Sequence, residues 1–223
     1  MSDVSSANLG NERVLYGYWR SSAAYRVRIA LHHKNLPFEN VPVSLAKGEQ
    51  RSAEHLARNP QGLVPALVDR GATFTQSLAI CEYLDEAYPD TPRLLPSHPA
   101  ERAGVRAMAQ LVACDIHPLC NLRVLNYLEA EFGQDAGGKK AWVARWLHDG
   151  LAALETLAEP VAGDYLFGDT VTLADVFLAP QLYNARRFDV DLAPYPLLRR
   201  IDETLTELPS FRAAEPSRQP DAQ

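Results

Sequence analysis

Among 223 residues no apolar run approaches the roughly 20 that a membrane-spanning helix needs, and no signal-peptide core stands near the N-terminus. Basic residues are outnumbered: 22 Lys and Arg against 28 Asp and Glu leave a net charge of −6, the wrong sign for a nucleic-acid-binding surface. Cysteine is scarce. Cys81, Cys114 and Cys120 are odd in number and form neither a CxxC pair nor a metal-ligand spacing. No metal site is therefore expected, and free, buried thiols in a reducing cytoplasm are. Internal repeats and low-complexity segments are absent as well. What is present is ordinary for a globular chain: 47% hydrophobic, 22% charged, and long enough for one large core or two small ones.

The chain turns on the stretch Trp19 to Leu31. A β-branched and aromatic run, Val14 to Tyr18, predicts a strand. Ser21 and Ser22 follow, and then Ala23, Val27, Ala30 and Leu31 recur at helical spacing. A strand that passes directly into a helix leaves unpaired backbone N–H groups and the positive end of the helix dipole at that junction, where an anion is favoured. A serine hydroxyl there has two uses, capping the helix or hydrogen-bonding a bound thiolate.

The remaining elements follow in order. Asn35-Leu36-Pro37 stops the first helix, Phe38 to Val43 predicts an edge strand, and Lys47 to Arg58 a polar loop with a short helix closed by Asn59-Pro60. Gly62 to Val68 enters a third strand through Pro65, Asp69-Arg70-Gly71 signals a tight turn, and Thr73 to Thr75 a fourth strand. Gln76-Ser77 caps a helix with an apolar face of Leu78, Ile80, Cys81 and Leu84. Prolines 89, 92, 96 and 99 then mark a boundary. Beyond it the pattern is helical: a long helix from Val105 to Leu128 kinked near Cys114–Pro118, a loop from Gly133 to Gly138, helices over Trp142–Glu159 and Ile201–Leu208, and a buried helix ending at Asn184–Phe188. Thr172 to Asp175 predicts a capping box, which makes Asp175 structural. The expected organisation is an α/β domain over 11–89, an all-α domain over 100–212, and tails at 1–10 and 213–223.

The run Arg20-Ser21-Ser22-x-x-Tyr25-Arg26-Val27-Arg28-Ile29-Ala30-Leu31 resembles the signature of zeta-class glutathione transferases, the maleylacetoacetate isomerases. Asn59-Pro60, Val64-Pro65-Ala66-Leu67, Gln76-Ser77-Leu78-Ala79-Ile80, Asn184-Ala185-x-Arg187-Phe188-x-Val190-Asp191-Leu192 and Arg218-Gln219-Pro220-Asp221 extend the likeness from about Val14 to Asp221. The resemblance implies a thioredoxin-like N-terminal domain followed by an all-α C-terminal domain, a homodimer, and glutathione as cofactor. It implies that Ser21 faces the glutathione sulfur with Ser22 assisting, that Val64 beside a cis Pro65 pairs with the cysteinyl unit, and that Gln76 and Ser77 hold the γ-glutamyl carboxylate. Gln50, His117, Asn121, Leu122 and Arg123 complete the implied cofactor site. Arg187 and Arg26 are the implied substrate arginines, with Arg20, Arg123 and Arg186 as further candidates, whereas Tyr25 suits packing and Arg28 a solvated helix face or surface ion pair. Two departures stand out: Ala23 replaces the signature cysteine, and His117 lies in a Cys-Asp-Ile-His-Pro run shared with bacterial maleylpyruvate isomerases.

A thiol of pKa about 8.5 is only a few per cent ionised at neutral pH. A charge-assisted hydrogen bond from Ser21 contributes roughly 1.5–3 kcal/mol and the helix terminus about 0.3–2. Less an opposing desolvation cost, that lowers the thiol pKa by some 1.5–3 units, enough to keep most of it as thiolate. The implied reaction is reversible addition of that thiolate to a cis enedione acid, rotation about the new single bond, and expulsion, with glutathione regenerated; arginines suit its anionic substrate and enolate. The expected conversion is maleylacetoacetate to fumarylacetoacetate in tyrosine and phenylalanine catabolism. The alternatives are maleylpyruvate isomerisation, a general glutathione transferase or peroxidase, and a non-catalytic binding protein of the same fold. A thiol–disulfide oxidoreductase is disfavoured, because Ser21 stands where such enzymes carry a reactive cysteine.

Overall fold

A computed structural model describes residues 13–222, so the expected N-terminal tail lies outside the described residues. Strand β1 (Val14–Gly17) alternates partly and fully buried positions, as a strand with one face on a core should. It pairs in parallel with β2 (Glu39–Pro42) and antiparallel with β3 (Ala66–Asp69). Strand β3 turns back into β4 (Ala72–Thr75) through Arg70 and Gly71, both in the left-handed region at φ 51° and 78°, as a two-residue hairpin turn requires. The sheet order is β2-β1-β3-β4, with β2 at the edge that Pro42 predicts. The third strand begins later than its apolar run, because Gly62 to Pro65 remain loop and the Val64–Pro65 peptide is cis.

Helix α1 (Ser22–His33) is the crossover between the parallel strands β1 and β2. It is buried without interruption from Ala24 to Leu31, since α3 (Ser77–Ala87) lies against it on one side and helices of the C-terminal part cover the rest. The short α2 (Ala53–Arg58) lies between β2 and β3. At the end of α1, Lys34 Nζ meets Asp85 Oδ1 at 3.0 Å and the Pro92 carbonyl at 2.8 Å, while the same carboxylate oxygen accepts the Leu94 N–H at 2.7 Å. This buried pair therefore fastens α1, α3 and the proline-rich linker at one point. Leu173 N–H then reaches the Leu94 carbonyl at 2.8 Å, extending the tie to the helical part.

That part comprises α4 (Pro99–Gln110), α5 (Leu122–Phe132), α6 (Ala136–Ala158), α7 (Leu173–Arg187), α8 (Pro196–Glu207) and α9 (Pro209–Ala214). Helix α7 is buried on all sides from Leu173 to Leu182 and is the centre of the bundle.

Several boundaries depart from the sequence pattern. The expected long helix over Val105–Leu128 is two helices: α4 widens to π geometry over Leu111–Ile116, the chain turns, and α5 starts afresh. Pro118 has no N–H to continue the ladder, and the Asn121 side chain accepts the Arg123 N–H at 3.1 Å as a new N-cap. Helix α6 starts at Ala136, within the expected loop, because Asp135 Oδ1 caps the Gly138 N–H at 2.8 Å. Residues 213–222 are not a loose tail: Ala214 and Pro216 are buried and α9 packs against α1. Cys81 and Cys120 are buried as expected, but Cys114 is exposed on the π segment.

Asp175 is fully buried and accepts from the Leu166 N–H at 2.8 Å, the Thr172 N–H at 2.7 Å and the Thr172 hydroxyl at 3.0 Å, which makes it the hinge of the expected capping box. Burial pushes its carboxyl up to about 6, so the native state holds the proton more tightly than the unfolded chain. Its contribution to stability therefore declines as pH rises from about 4 through about 6. Urea titrations should show D175A less stable by about 2–4 kcal/mol, and lacking this part of the pH dependence.

Candidate active site

Ser21 is the N-cap of α1, in extended conformation, and its Oγ accepts the Ala24 N–H at 3.2 Å. Capping uses a lone pair and leaves the hydroxyl proton to donate elsewhere, so the two uses posed by the sequence coexist. Among first-turn amides, Tyr25 N–H is taken by the Ser21 carbonyl at 2.9 Å and Ala24 N–H by the cap. The amides of Ser22 and Ala23 point from the open end of the helix. No acidic residue sits in this first turn to offset its positive potential.

This helix end opens into a cleft of about 520 Å³ between the sheet-bearing part and the helices. Its walls bring together Ser21, Ser22, Gln50, Val64, His117, Asn121, Leu122, Arg123 and Arg187 from the expected set, from five separate parts of the chain. The Gln50 side chain is oriented with a buried Oε1 that has no partner among the described residues. The loop carrying Val64 is held from behind, where the Leu63 carbonyl receives the Asn59 amide and His55 Nε2, each at 2.8 Å. The Asn59-Pro60 pair thus shapes the site without facing it.

From the helical wall, His117 follows the π segment and its N–H returns to the Val112 carbonyl at 2.9 Å, five residues back. That extra residue per turn rotates His117 and Cys120 towards the cleft. Desolvation first, then the cations Arg26 and Arg123, hold the His117 imidazole down at about 3, so it is neutral and able to accept as well as donate. Asn126 and Asn184, unforeseen from the sequence, add amides to this wall.

The charge on the walls is one-sided. Arg20, Arg51, Arg123 and Arg187 line the cleft, and among the described residues no aspartate or glutamate does, on a chain with 28 acidic residues. Among the described residues, none of these four arginines enters an ion pair. Burial and the neighbouring Arg20 lower the Arg187 pKa, so two like charges lie near each other on the lining. Arg51 was missed because it follows a loop whose geometry no periodicity reveals.

Five expected residues are placed elsewhere. Arg26 is not on the wall: only 1% exposed, it lies over the Phe177 ring and donates from Nη1 to Ser77 Oγ at 3.2 Å. Its position on α1 is one turn into the buried stretch, so its side chain runs beneath the site instead of into it. Pro65, Gln76 and Ser77 sit beyond the lining, although Gln76 Nε2 reaches Gln61 Oε1 at 2.7 Å beside the lining residue Gly62. Gln76 occupies the N-cap position of α3 at φ 69°, yet its side chain makes no cap, contrary to expectation. Arg186 is turned away into an ion pair with Asp202.

Comparison with known proteins agrees with this arrangement. The model of the glutathione S-transferase N-terminal domain matches residues 13–86 and that of the C-terminal domain residues 122–207. The chain is 50% identical over 211 residues to a probable maleylacetoacetate isomerase of Vibrio cholerae, covering 94% of this chain and 98% of the relative. A holo maleylpyruvate isomerase, described as a bacterial zeta-class glutathione S-transferase, superposes with a TM-score of 0.91 at 49% identity, covering 94% of this chain and all of that one. The maleylacetoacetate isomerase of Anaeromyxobacter dehalogenans, solved with glutathione in its active site, gives 0.86 at 46% identity over 96% of this chain and 99% of its own. That enzyme was also solved with dicarboxyethyl glutathione and citrate there. The chain belongs to the glutathione transferase family, in its zeta class.

Proposed function

We propose that this protein is a glutathione-dependent cis–trans isomerase that converts maleylacetoacetate to fumarylacetoacetate in the breakdown of tyrosine and phenylalanine. The observation that carries the proposal is the pairing of a hydroxyl-capped helix end with four arginines and no carboxylate on one cleft. Bound there, glutathione supplies a thiolate that adds to the double bond of the substrate and is later expelled unchanged.

The protein's own groups fit that cofactor. The Ser21 hydroxyl and the amides of Ser22 and Ala23 would hold the sulfur as an anion, the orphan Oε1 of Gln50 awaits a donor, and the Val64 backbone borders the same space. Arg187 and the nearby Arg20 would take the substrate carboxylates and steady the charge that develops on its carbonyl oxygen. An apolar pocket would suit the hydrophobic electrophiles of a general transferase; this wall suits a diacid. Relatives of comparable similarity carry the names maleylacetoacetate isomerase and maleylpyruvate isomerase, and both substrates are cis enedione acids. Maleylpyruvate is accordingly the second substrate to test.

Arg26 acts from beneath. Its bond makes Ser77 Oγ an acceptor, which commits the Ser77 proton to a partner above, where the γ-glutamyl carboxylate of glutathione would lie at the start of α3. Burial lowers the guanidinium to about 10, still charged at neutral pH. The free thiols fit a cytoplasmic location, and the family likeness fits a homodimer.

With maleylacetone or maleylpyruvate and trace glutathione, absorbance should show complete loss of the cis compound while the thiol titre stays constant; stoichiometric thiol consumption would sink the isomerase assignment. S21A should lose roughly 10- to 100-fold in kcat/KM, with the pH–rate profile displaced upward by about 1–2 units as the thiolate loses its donor. R26M should weaken glutathione binding roughly tenfold by calorimetry, with thermal stability kept or raised because a buried charge is removed.

A further inference from the structure

The turn that presents Ser21 is held in place by the last residues of the chain. Trp19 and Arg20 are its corner, closed by the Ser21 N–H on the Tyr18 carbonyl at 3.0 Å. Neither corner residue is inside a strand or helix, so their remaining backbone groups need partners from elsewhere. The Trp19 N–H is taken at 3.0 Å by Oδ2 of Asp221, 202 residues away in sequence. The Trp19 carbonyl is taken at 2.8 Å by Nη2 of Arg28, whose Nε reaches the Ala214 carbonyl at 3.0 Å. Arg28 is wholly buried, and its fork bridges the turn and the C-terminal segment in one rigid unit. Gln219 completes the brace: its Nε2 donates to the carbonyls of Ala213 at 3.0 Å and Glu215 at 2.8 Å, folding the segment so that Asp221 returns to the turn.

We infer that Asp221 is a positioning residue for the Ser21 site, acting through the Trp19 amide with Arg28 as the opposing anchor. The inference rests on the isomerase reading above. Asp221 touches neither cleft nor reacting atoms; it fixes the corner from which Ser21 and Arg20 project. Without it, one end of the corner is tied only by Arg28, and Ser21 is free to swing by the fraction of an ångström that separates a strong donor from a weak one. A misplacement of about 1 Å costs up to about 10²-fold in rate.

The test is hydrogen exchange on the ligand-free protein, together with the pKa of the thiol in the glutathione complex, read from thiolate ultraviolet absorbance, for wild type, D221A and D221N. Expected for D221A are faster exchange of the Trp19 and Ser21 amides, a bound-thiol pKa raised by about 0.5–1 unit, and a kcat/KM lower by roughly 10-fold. D221N retains an acceptor oxygen and should return all three most of the way to wild type. A bound-thiol pKa in D221A equal to the lowered value of wild type overturns the inference, whatever the exchange rates. So does a D221N as impaired as D221A, which would assign the effect to charge instead of the hydrogen bond. A wild type that leaves the thiol at its solution pKa removes the isomerase reading itself, and this inference with it.

Discussion

The open first turn of α1, with its hydroxyl cap and unpaired amides, is the constraint to which the surrounding structure answers. Helix-terminal amides and a serine hydroxyl stabilise charge only if they are already aimed at it, because donors that must reorient give back most of what they contribute. The fold supplies that rigidity from all sides. Strand β1 is clamped between β2 and β3, so the chain enters the turn on a fixed line. Helix α1 is packed along its whole length and cannot rock about its own start. The Ser21 cap itself consumes a first-turn amide and thereby orients the hydroxyl. The positive end of the dipole then meets no acidic side chain in the first turn.

Arginine appears here in two physical roles. Arg20, Arg51 and Arg123 stand exposed in the cleft, hydrated until an anion arrives, and so are inexpensive to maintain in the empty site, while Arg187 beside them is partly desolvated. Arg26 and Arg28 are buried on the same helix, two residues apart, and emerge on different sides of it: one beneath the start of α3, the other beneath the Tyr18–Trp19 turn. Burying a guanidinium costs desolvation, which is why both sit at about 10, with Asp221 opposing the shift at Arg28. Such a cost is tolerable where a fork of five donors joins separate parts of the chain. His117 belongs to the same electrostatic scheme. Near two cations and removed from water it stays neutral, adding a polar contact to the wall without adding charge.

What was legible in the sequence is what short range determines. The strand–turn–helix at Val14 to Leu31, the hairpin at Arg70-Gly71 and the capping box at Thr172–Asp175 each follow from neighbours in the chain, and each was found where expected. The cleft set was named through resemblance, and nine of the residues expected to hold cofactor or substrate line it. What failed depended on long-range packing. Arg26 lies in a helix whose every face is buried, so no polar stripe marks which way its side chain runs. The break between α4 and α5 was read as a kink because the apolar period continues across Pro118, while the new cap at Asn121 lies three residues past it. The C-terminal segment has a polar, proline-bearing composition that looks like a tail; only its bonds to residues near position 20 give it a place.

The replacement of the signature cysteine by Ala23 becomes intelligible on these terms. A first-turn position contributes its backbone N–H to the anion, and alanine offers that as well as cysteine does. The chain's own thiols are poor competitors. Burial pushes Cys120, on the cleft wall, up to about 12, and Cys81 likewise, so both remain protonated and weakly nucleophilic at neutral pH. Cys114 is exposed but outside the lining. A site that keeps its resident thiols neutral while building a cationic, donor-rich hollow at a helix start reserves its electrostatics for a thiol that comes from solution. On the proposed reading, the hydroxyl and amides at that helix start would activate the nucleophile while the arginines beside them would select the anionic electrophile it meets.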